Sequence, residues 1–228
     1  ETIVAWNARV TGGEQPTSWP ADEIASALPV IALTCIDPRL NSHFPNALGL
    51  RPEQFIWLRN AGNVITGSTS STTRSLALAC AVKGGREIAI IGHTDCGVRK
   101  TGVAELTDRF RELGVPRDKL PHDLVEFFGI FASERQNVMR GVEFVRQSPI
   151  IGPAIPVHGL LIDVRSARLE WVVNGYDALD CIRTGQPVQK NEEPPPRPPE
   201  PTPLQLFAKP PLPKPSYKVV SFPPRTKR

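Results

Sequence analysis

Three side chains able to do chemistry stand two residues apart in the run CIDPR: the thiol of Cys35, the carboxylate of Asp37 and the guanidinium of Arg39. Two apart is the strand period, so all three fall on one side of an extended segment. A second run, HTDC, places His93 and Cys96 three apart. Two sulfurs and one imidazole are ligand types that zinc prefers, and three protein ligands leave one coordination position for reactants. A carboxylate beside a fixed guanidinium stays ionised and oriented. Asp37 is therefore expected either to accept a hydrogen bond from water on the metal or to take the fourth position itself, with Arg39 deciding between the two.

Cys35 lies almost sixty residues before the His93–Cys96 pair, so the fold has to bring them together. The runs VIALTCID, QFIWLRNAG and EIAIIGHTD are short, β-rich and continuously apolar, and each ends in polar or glycine-containing sequence. Unbroken apolar character suits parallel strands covered on both faces. Between the second and third, the stretch 68–85 carries STTRSLALACAVKGG, with serines and threonines to cap a helix and a double glycine to stop it. Strand, helix, strand at this spacing is a βαβ pattern. The stretches 105–114 and 122–148 read as amphipathic helices, and VHGLLIDVRSARLEWVVN as two strands of a hairpin. The expected class is α/β: a central, mostly parallel sheet flanked by helices, with an added antiparallel edge strand. In such sheets functional groups gather at the carboxyl ends of the strands. Cys35, Asp37, Arg39, His93 and Cys96 all sit there.

These motifs together resemble the β-class carbonic anhydrases, whose signatures are C-x-D-x-R and H-x-x-C. CIDPR, RNAGN, RSLALACAVKGGREIAIIGHTDCG and the later VEFVRQSPII…VHGLLIDV carry the likeness over roughly residues 29 to 175. The resemblance implies a β-carbonic-anhydrase-like fold and one Zn2+ per subunit on Cys35, His93 and Cys96, with Asp37 and Arg39 as the catalytic dyad. It implies reversible hydration of carbon dioxide to bicarbonate and a proton, by hydroxide generated on the metal. Arg59, Asn60 and Gly62 are expected to support the cleft, and subunits to associate as a homodimer or higher oligomer. Two positions differ from other branches: the region before Cys35 reads ASALP, with Ser26 and no Gln, and Ala32 stands where bicarbonate-regulated members have Trp. The chain looks closer to the compact prokaryotic branch, which also resembles hydrolases of carbonyl sulfide and carbon disulfide. Those substrates are the alternative on the same zinc site. A catalytically idle zinc scaffold that recruits partners is the alternative of a different class.

The 228 residues divide into an N-terminal arm (1–28), a zinc-binding α/β domain (29–186) and a proline-rich basic extension (187–228). Proline is about twice as frequent as usual, and fourteen of the 25 prolines lie in the extension. That segment also holds eight of the 27 basic residues and three of the 23 acidic ones, which leaves a near-neutral body. The basic balance thus gives no footprint for a nucleic-acid partner on the domain. The extension reads either as a solvating tail or as a docking segment for its own oligomer or a larger assembly such as a microcompartment shell. Leu204, Leu206, Phe207, Tyr217 and Phe222 interleave with its prolines in the manner of docking motifs. Four widely spaced cysteines suit reduced thiols in a cytoplasmic setting better than a disulfide framework. No apolar run is long enough to span a bilayer. Cys80 and Cys181 are expected to pack, Asp95 to form a turn, His122 and His158 to be structural or surface groups, and His43 to be a candidate proton shuttle.

Overall fold

The structure is a computed structural model that describes residues 2–14, 27–44, 46–177 and 179. The 187–228 extension, Cys181 and Ser26 lie outside the described residues.

Strands β1 (Val30–Cys35), β2 (Phe55–Asn60), β3 (Glu87–His93), β4 (Val157–Ile162) and β5 (Leu169–Val173) form one sheet in the order β2-β1-β3-β4-β5. The first four run parallel and β5 pairs antiparallel to β4, as the sequence pattern predicts. Six helices accompany them among the described residues: α1 (Thr2–Thr11), α2 (Ser71–Lys83), α3 (Gly97–Lys100), α4 (Val103–Glu112), α5 (Leu124–Phe128) and α6 (Glu134–Arg146).

Every residue of β1 and β4 is buried, because both faces of the sheet are covered. Alternate side chains go to alternate faces. Ile31, Leu33, Ile88 and Ile90 pack with Leu76 and Ala79 of α2 and with Val142 and Val145 of α6. Ala32, Ala89, Ile91, Leu160 and Ile162 face the other way, against Leu40, Leu48 and Leu50, with Ile3 and Val4 of α1 outside them. Each fully buried Val, Leu or Ile contributes roughly 1.5–3 kcal/mol of transfer free energy, so the sheet is the rigid part of the molecule.

Helix limits follow local chemistry. Ser70 Oγ accepts from the Thr73 amide at the start of α2, and Gly84, at φ 70°, closes it in the left-handed conformation. The stretch 122–148 is two helices: Gly129 (φ 63°) ends α5, and Ser133 caps α6 by accepting from the Gln136 amide. α6 lies close to the sheet at Val138. A Cβ on Gly92 or on Gly159 would come within 2.5 or 2.8 Å of that valine, so two glycines in β3 and β4 form its seat.

The polar N-terminal arm is tied down by one buried residue. Asn7, with no exposed surface, donates to the carbonyls of Ala47 (2.9 Å) and Ala167 (2.8 Å) and accepts from the Leu169 amide (2.6 Å). It thereby joins α1, the 46–48 turn and the start of β5. Asn7→Leu fits the space but leaves three buried backbone groups without partners. The expected cost is about 2–3 kcal/mol, at the upper end for unmet buried polar groups, read from the urea midpoint. A change below about 0.5 kcal/mol would show that the arm is not held through Asn7.

Candidate metal centre

β1 and β3 are neighbours in register, Thr34 opposite Ile91, so Cys35 at the end of one strand and His93 at the end of the other emerge side by side. Cys96 follows after a turn and is the N-cap of α3. Asp95, at φ 61°, makes that turn. The ligand atoms of Cys35, His93 and Cys96 all lie within 4.8 Å of one another, and all three residues are buried. The fold does bring the sequence-predicted ligands together.

The donor set fits a metal. The His93 Nδ1 lies 2.9 Å from the Thr94 carbonyl, which selects the tautomer with its proton on Nδ1. Nε2 then presents a lone pair, and it is buried without a hydrogen-bond partner. An orphaned buried nitrogen beside two sulfurs is costly unless something binds it. The two sulfurs lie within 4.8 Å of each other, and the neighbouring Cys96 thiol pulls the Cys35 pKa far down against burial, helped by His93 and the Asp37 and Gly62 amides. Cys96 is pushed up in turn by Cys35 and by burial. Burial disfavours the His93 imidazolium, yet the adjacent Cys35 sulfur and its negative charge outweigh this and hold the pKa above the ordinary value. A cation would compensate the sulfur charge and occupy the Nε2 lone pair, relieving all three groups.

Asp37 is held by a fork. Arg39 Nε donates to Oδ1 (3.0 Å) and Nη2 to Oδ2 (2.7 Å), and the Arg39 amide also donates to Oδ1 (3.0 Å). The Arg39 hydrogen bonds lower the Asp37 pKa to about 2 despite some burial. The other edge of the guanidinium binds Asp95, through Nη1 to Oδ2 (2.7 Å) and Nη2 to the carbonyl (2.9 Å), and Lys100 pairs with the same Asp95 carboxylate. Asp37 Oδ2 is 4.0 Å from His93 Nε2, so the carboxylate faces the atom that would bind a metal.

The three supporting residues divide. Arg59 donates to the carbonyls of Cys35 (2.8 Å) and Asp37 (2.9 Å), clamping the strand end from β2. Gly62, at φ 71°, donates its amide to Cys35 Sγ (3.2 Å). A Cβ there would meet the Phe131 ring at 2.9 Å and Val98 at 3.2 Å, so only glycine passes. Asn60 acts one step back, donating to the Val64 carbonyl (2.8 Å) and to Thr72 Oγ1 (3.1 Å).

The family model for carbonic anhydrase matches residues 30–169, well over half of the 228-residue chain. The chain belongs to the β-carbonic anhydrase family. Among solved structures, β-carbonic anhydrase isoform I of Trichomonas vaginalis aligns with a TM-score of 0.62 at 27% identity, over 74% of this chain and 93% of that one. The carbonic anhydrase of Streptococcus mutans gives a TM-score of 0.55 at 29% identity, over 74% and 93%. A carbon disulfide hydrolase of Acidithiobacillus thiooxidans is 31% identical over 149 residues, 59% of this chain and 72% of that protein. The fold and the family are thus shared by enzymes named for two different substrates.

Other groups stay outside the cluster. His43 is bonded to the Val164 carbonyl (2.9 Å). His158 accepts from the Gly175 amide and lies 3.1 Å from Glu87, far down the sheet at the amino end of β3. Cys80 is half-buried in α2, with burial raising its pKa. Sequence reading missed Glu134, Asn137 and Lys100, and gave Asp95 only its turn. Glu134 and Asn137 each bond a backbone atom, 38 and 75 residues away, which leaves no local pattern. Among the described residues no helix is long and apolar enough to cross a membrane.

Proposed function

We propose that the chain catalyses reversible hydration of carbon dioxide on one Zn2+ held by Cys35, His93 and Cys96. The single observation that carries this is the buried sulfur–imidazole–sulfur set with an orphaned Nε2, faced by a carboxylate locked onto arginine. When bound, zinc supplies Lewis acidity that makes hydroxide available near neutral pH. The protein does the rest. Arg39 keeps Asp37 ionised and turned so that its oxygens accept a proton from a reactant oxygen instead of closing the site. Cys35 and Cys96 donate negative charge, while Arg59 and Gly62 hold the first sulfur's strand end in place. Val98 and Phe131 pack against Gly62 and the cysteine cluster, giving an apolar wall suited to carbon dioxide. Homodimers or larger oligomers accord with the outer face of α2, where Leu78 and Val82 are 61% and 69% exposed.

A second reading, hydrolysis of carbon disulfide or carbonyl sulfide on the same atoms, is favoured by the 31%-identical relative named for carbon disulfide. Stopped-flow hydration of carbon dioxide and sulfide release from carbon disulfide and carbonyl sulfide, run in parallel on one zinc-loaded sample, separate the two. The proposal expects carbon dioxide turnover to exceed sulfide release by orders of magnitude. The reverse ranking would transfer the assignment to the second reading, and zinc-loaded protein inert to all three would leave a scaffold. Light scattering on that sample should give at least twice the chain mass, and a monomer would remove the oligomer from the proposal.

A further inference from the structure

We propose that the first turn of α6 is a two-point brace that sets the distance between the two sulfur ligands, with Glu134 and Asn137 as positioning residues. The inference rests on the zinc reading above.

Cys35 ends β1 and Cys96 follows β3 after a turn, and no shared ladder holds them, because the β1–β3 pairing ends at Thr34 and Ile91. A tetrahedral ion with sulfur ligands at about 2.3 Å tolerates only a narrow sulfur–sulfur distance. Something rigid has to touch both ligand segments, and α6 does. Glu134 Oε1 accepts from the Cys96 amide (3.3 Å) and from Arg99 Nε (2.6 Å), fixing both ends of the turn that carries the second sulfur. Asn137 Nδ2 donates to the Gly62 carbonyl (2.9 Å), and the Gly62 amide donates to Cys35 Sγ (3.2 Å). Glu134 and Asn137 are three apart on one helix, hence on one face. One helical turn therefore reaches one sulfur residue's own amide, and the other sulfur through a single residue, Gly62.

The helix is a firm base for such a brace. Val138, next to Asn137, is fully buried in the notch left by Gly92 and Gly159, and Val142 and Val145 are as deep. Gly92 directly precedes His93, so the same seat ties α6 to the third ligand's strand. An exposed Arg–Glu pair would be worth little, but the Glu134 side chain is only 16% exposed. Its bond to a backbone amide also constrains a ligand, which a surface pair does not.

The test measures zinc dissociation from the full chain by competition with a chromophoric chelator, alongside the urea midpoint of the zinc-free chain. Outer-shell partners of metal ligands typically change affinity by about 10–100-fold, so Glu134→Ala and Asn137→Ala should each weaken zinc by that factor. Glu134→Gln keeps an acceptor for the Cys96 amide and should stay within a few-fold of wild type. Asn137→Asp turns an acceptor toward the Gly62 carbonyl and should be worse than Asn137→Ala. Should either alanine variant fail to fold, the Glu134→Gln and Asn137→Asp comparisons carry the test. Folded alanine variants within about twofold of wild-type affinity, or a lowered urea midpoint with affinity unchanged, would overturn the brace and leave the zinc site standing. Wild-type protein that takes up no zinc would sink the site and the brace together.

Discussion

Cys96→Ser is expected to leave the protein folded, without zinc, and with carbon dioxide hydration at the uncatalysed background. The position tolerates the change structurally. Cys96 is the N-cap of α3, its sulfur makes no capping hydrogen bond that the change would remove, and serine is a preferred residue at such a cap. Chemically the change is severe. Zinc binds the deprotonated ligand, and a serine hydroxyl gives up its proton far less readily than a thiol and is a harder donor. The affinity loss should exceed the roughly 100-fold upper range for outer-shell partners. Zinc per chain by atomic absorption and stopped-flow hydration read the two effects together. Cys80→Ser is the internal control: that thiol lies on α2, outside the cluster, and its loss should change neither reading. Hydration at the wild-type rate in a zinc-free Cys96→Ser protein would remove the metal from the reaction altogether.

What the sequence discloses here is what burial and backbone geometry write into local pattern. Strands buried on both faces must be continuously apolar, so β1, β3 and β4 stand out, and Cys35 and His93 mark where they stop. α2 announces its end through the glycine that adopts φ 70°. The convergence of Cys35, His93 and Cys96 was legible because thiol and imidazole at the ends of neighbouring parallel strands must meet at one sheet edge. Asn7 was not, since one buried amide inside a polar arm looks like any surface asparagine until its three backbone partners are known. Glu134 and Asn137 escaped for the same reason. The boundary between α5 and α6 was blurred because the apolar periodicity of 122–148 runs on through Gly129, and the break depends on that residue's positive φ. Asp95 shows a mixed case. Its turn was expected, but its second role depends on Arg39 arriving from the Pro38–Ser42 turn after β1 and Lys100 from α3.

Arg39→Met should keep the zinc and lose the activity, a combination opposite to that of a ligand substitution. Asp37 is an anion whose Oδ2 already lies 4.0 Å from the ligating nitrogen of His93. The guanidinium restrains both of its oxygens through the Nε and Nη2 edge, whereas the residue 39 amide, which survives the substitution, holds Oδ1 alone and leaves Oδ2 to turn. Methionine keeps much of the length and volume of arginine but offers no donor. Released from the fork, a carboxylate next to a divalent cation with a free position will coordinate it. The ion is then held by four protein ligands, so chelator-driven release should be as slow as in wild type or slower. Solvent and substrate lose their place, and the proton acceptor is consumed, so hydration should fall by at least about 100-fold, the lower part of the range for general acid–base groups. Arg39→Lys should fall between, because an ammonium attracts Asp37 as a point charge without the two-pronged geometry. Azide titration followed in the Co2+-substituted protein distinguishes this closure from simple damage: the wild-type spectrum should respond and the Arg39→Met spectrum should not. Adding Asp37→Ala to Arg39→Met should restore the azide response while hydration stays low, since the position reopens without its acceptor. A single Arg39→Met protein that still binds azide would mean that the arginine is not what keeps Asp37 off the metal.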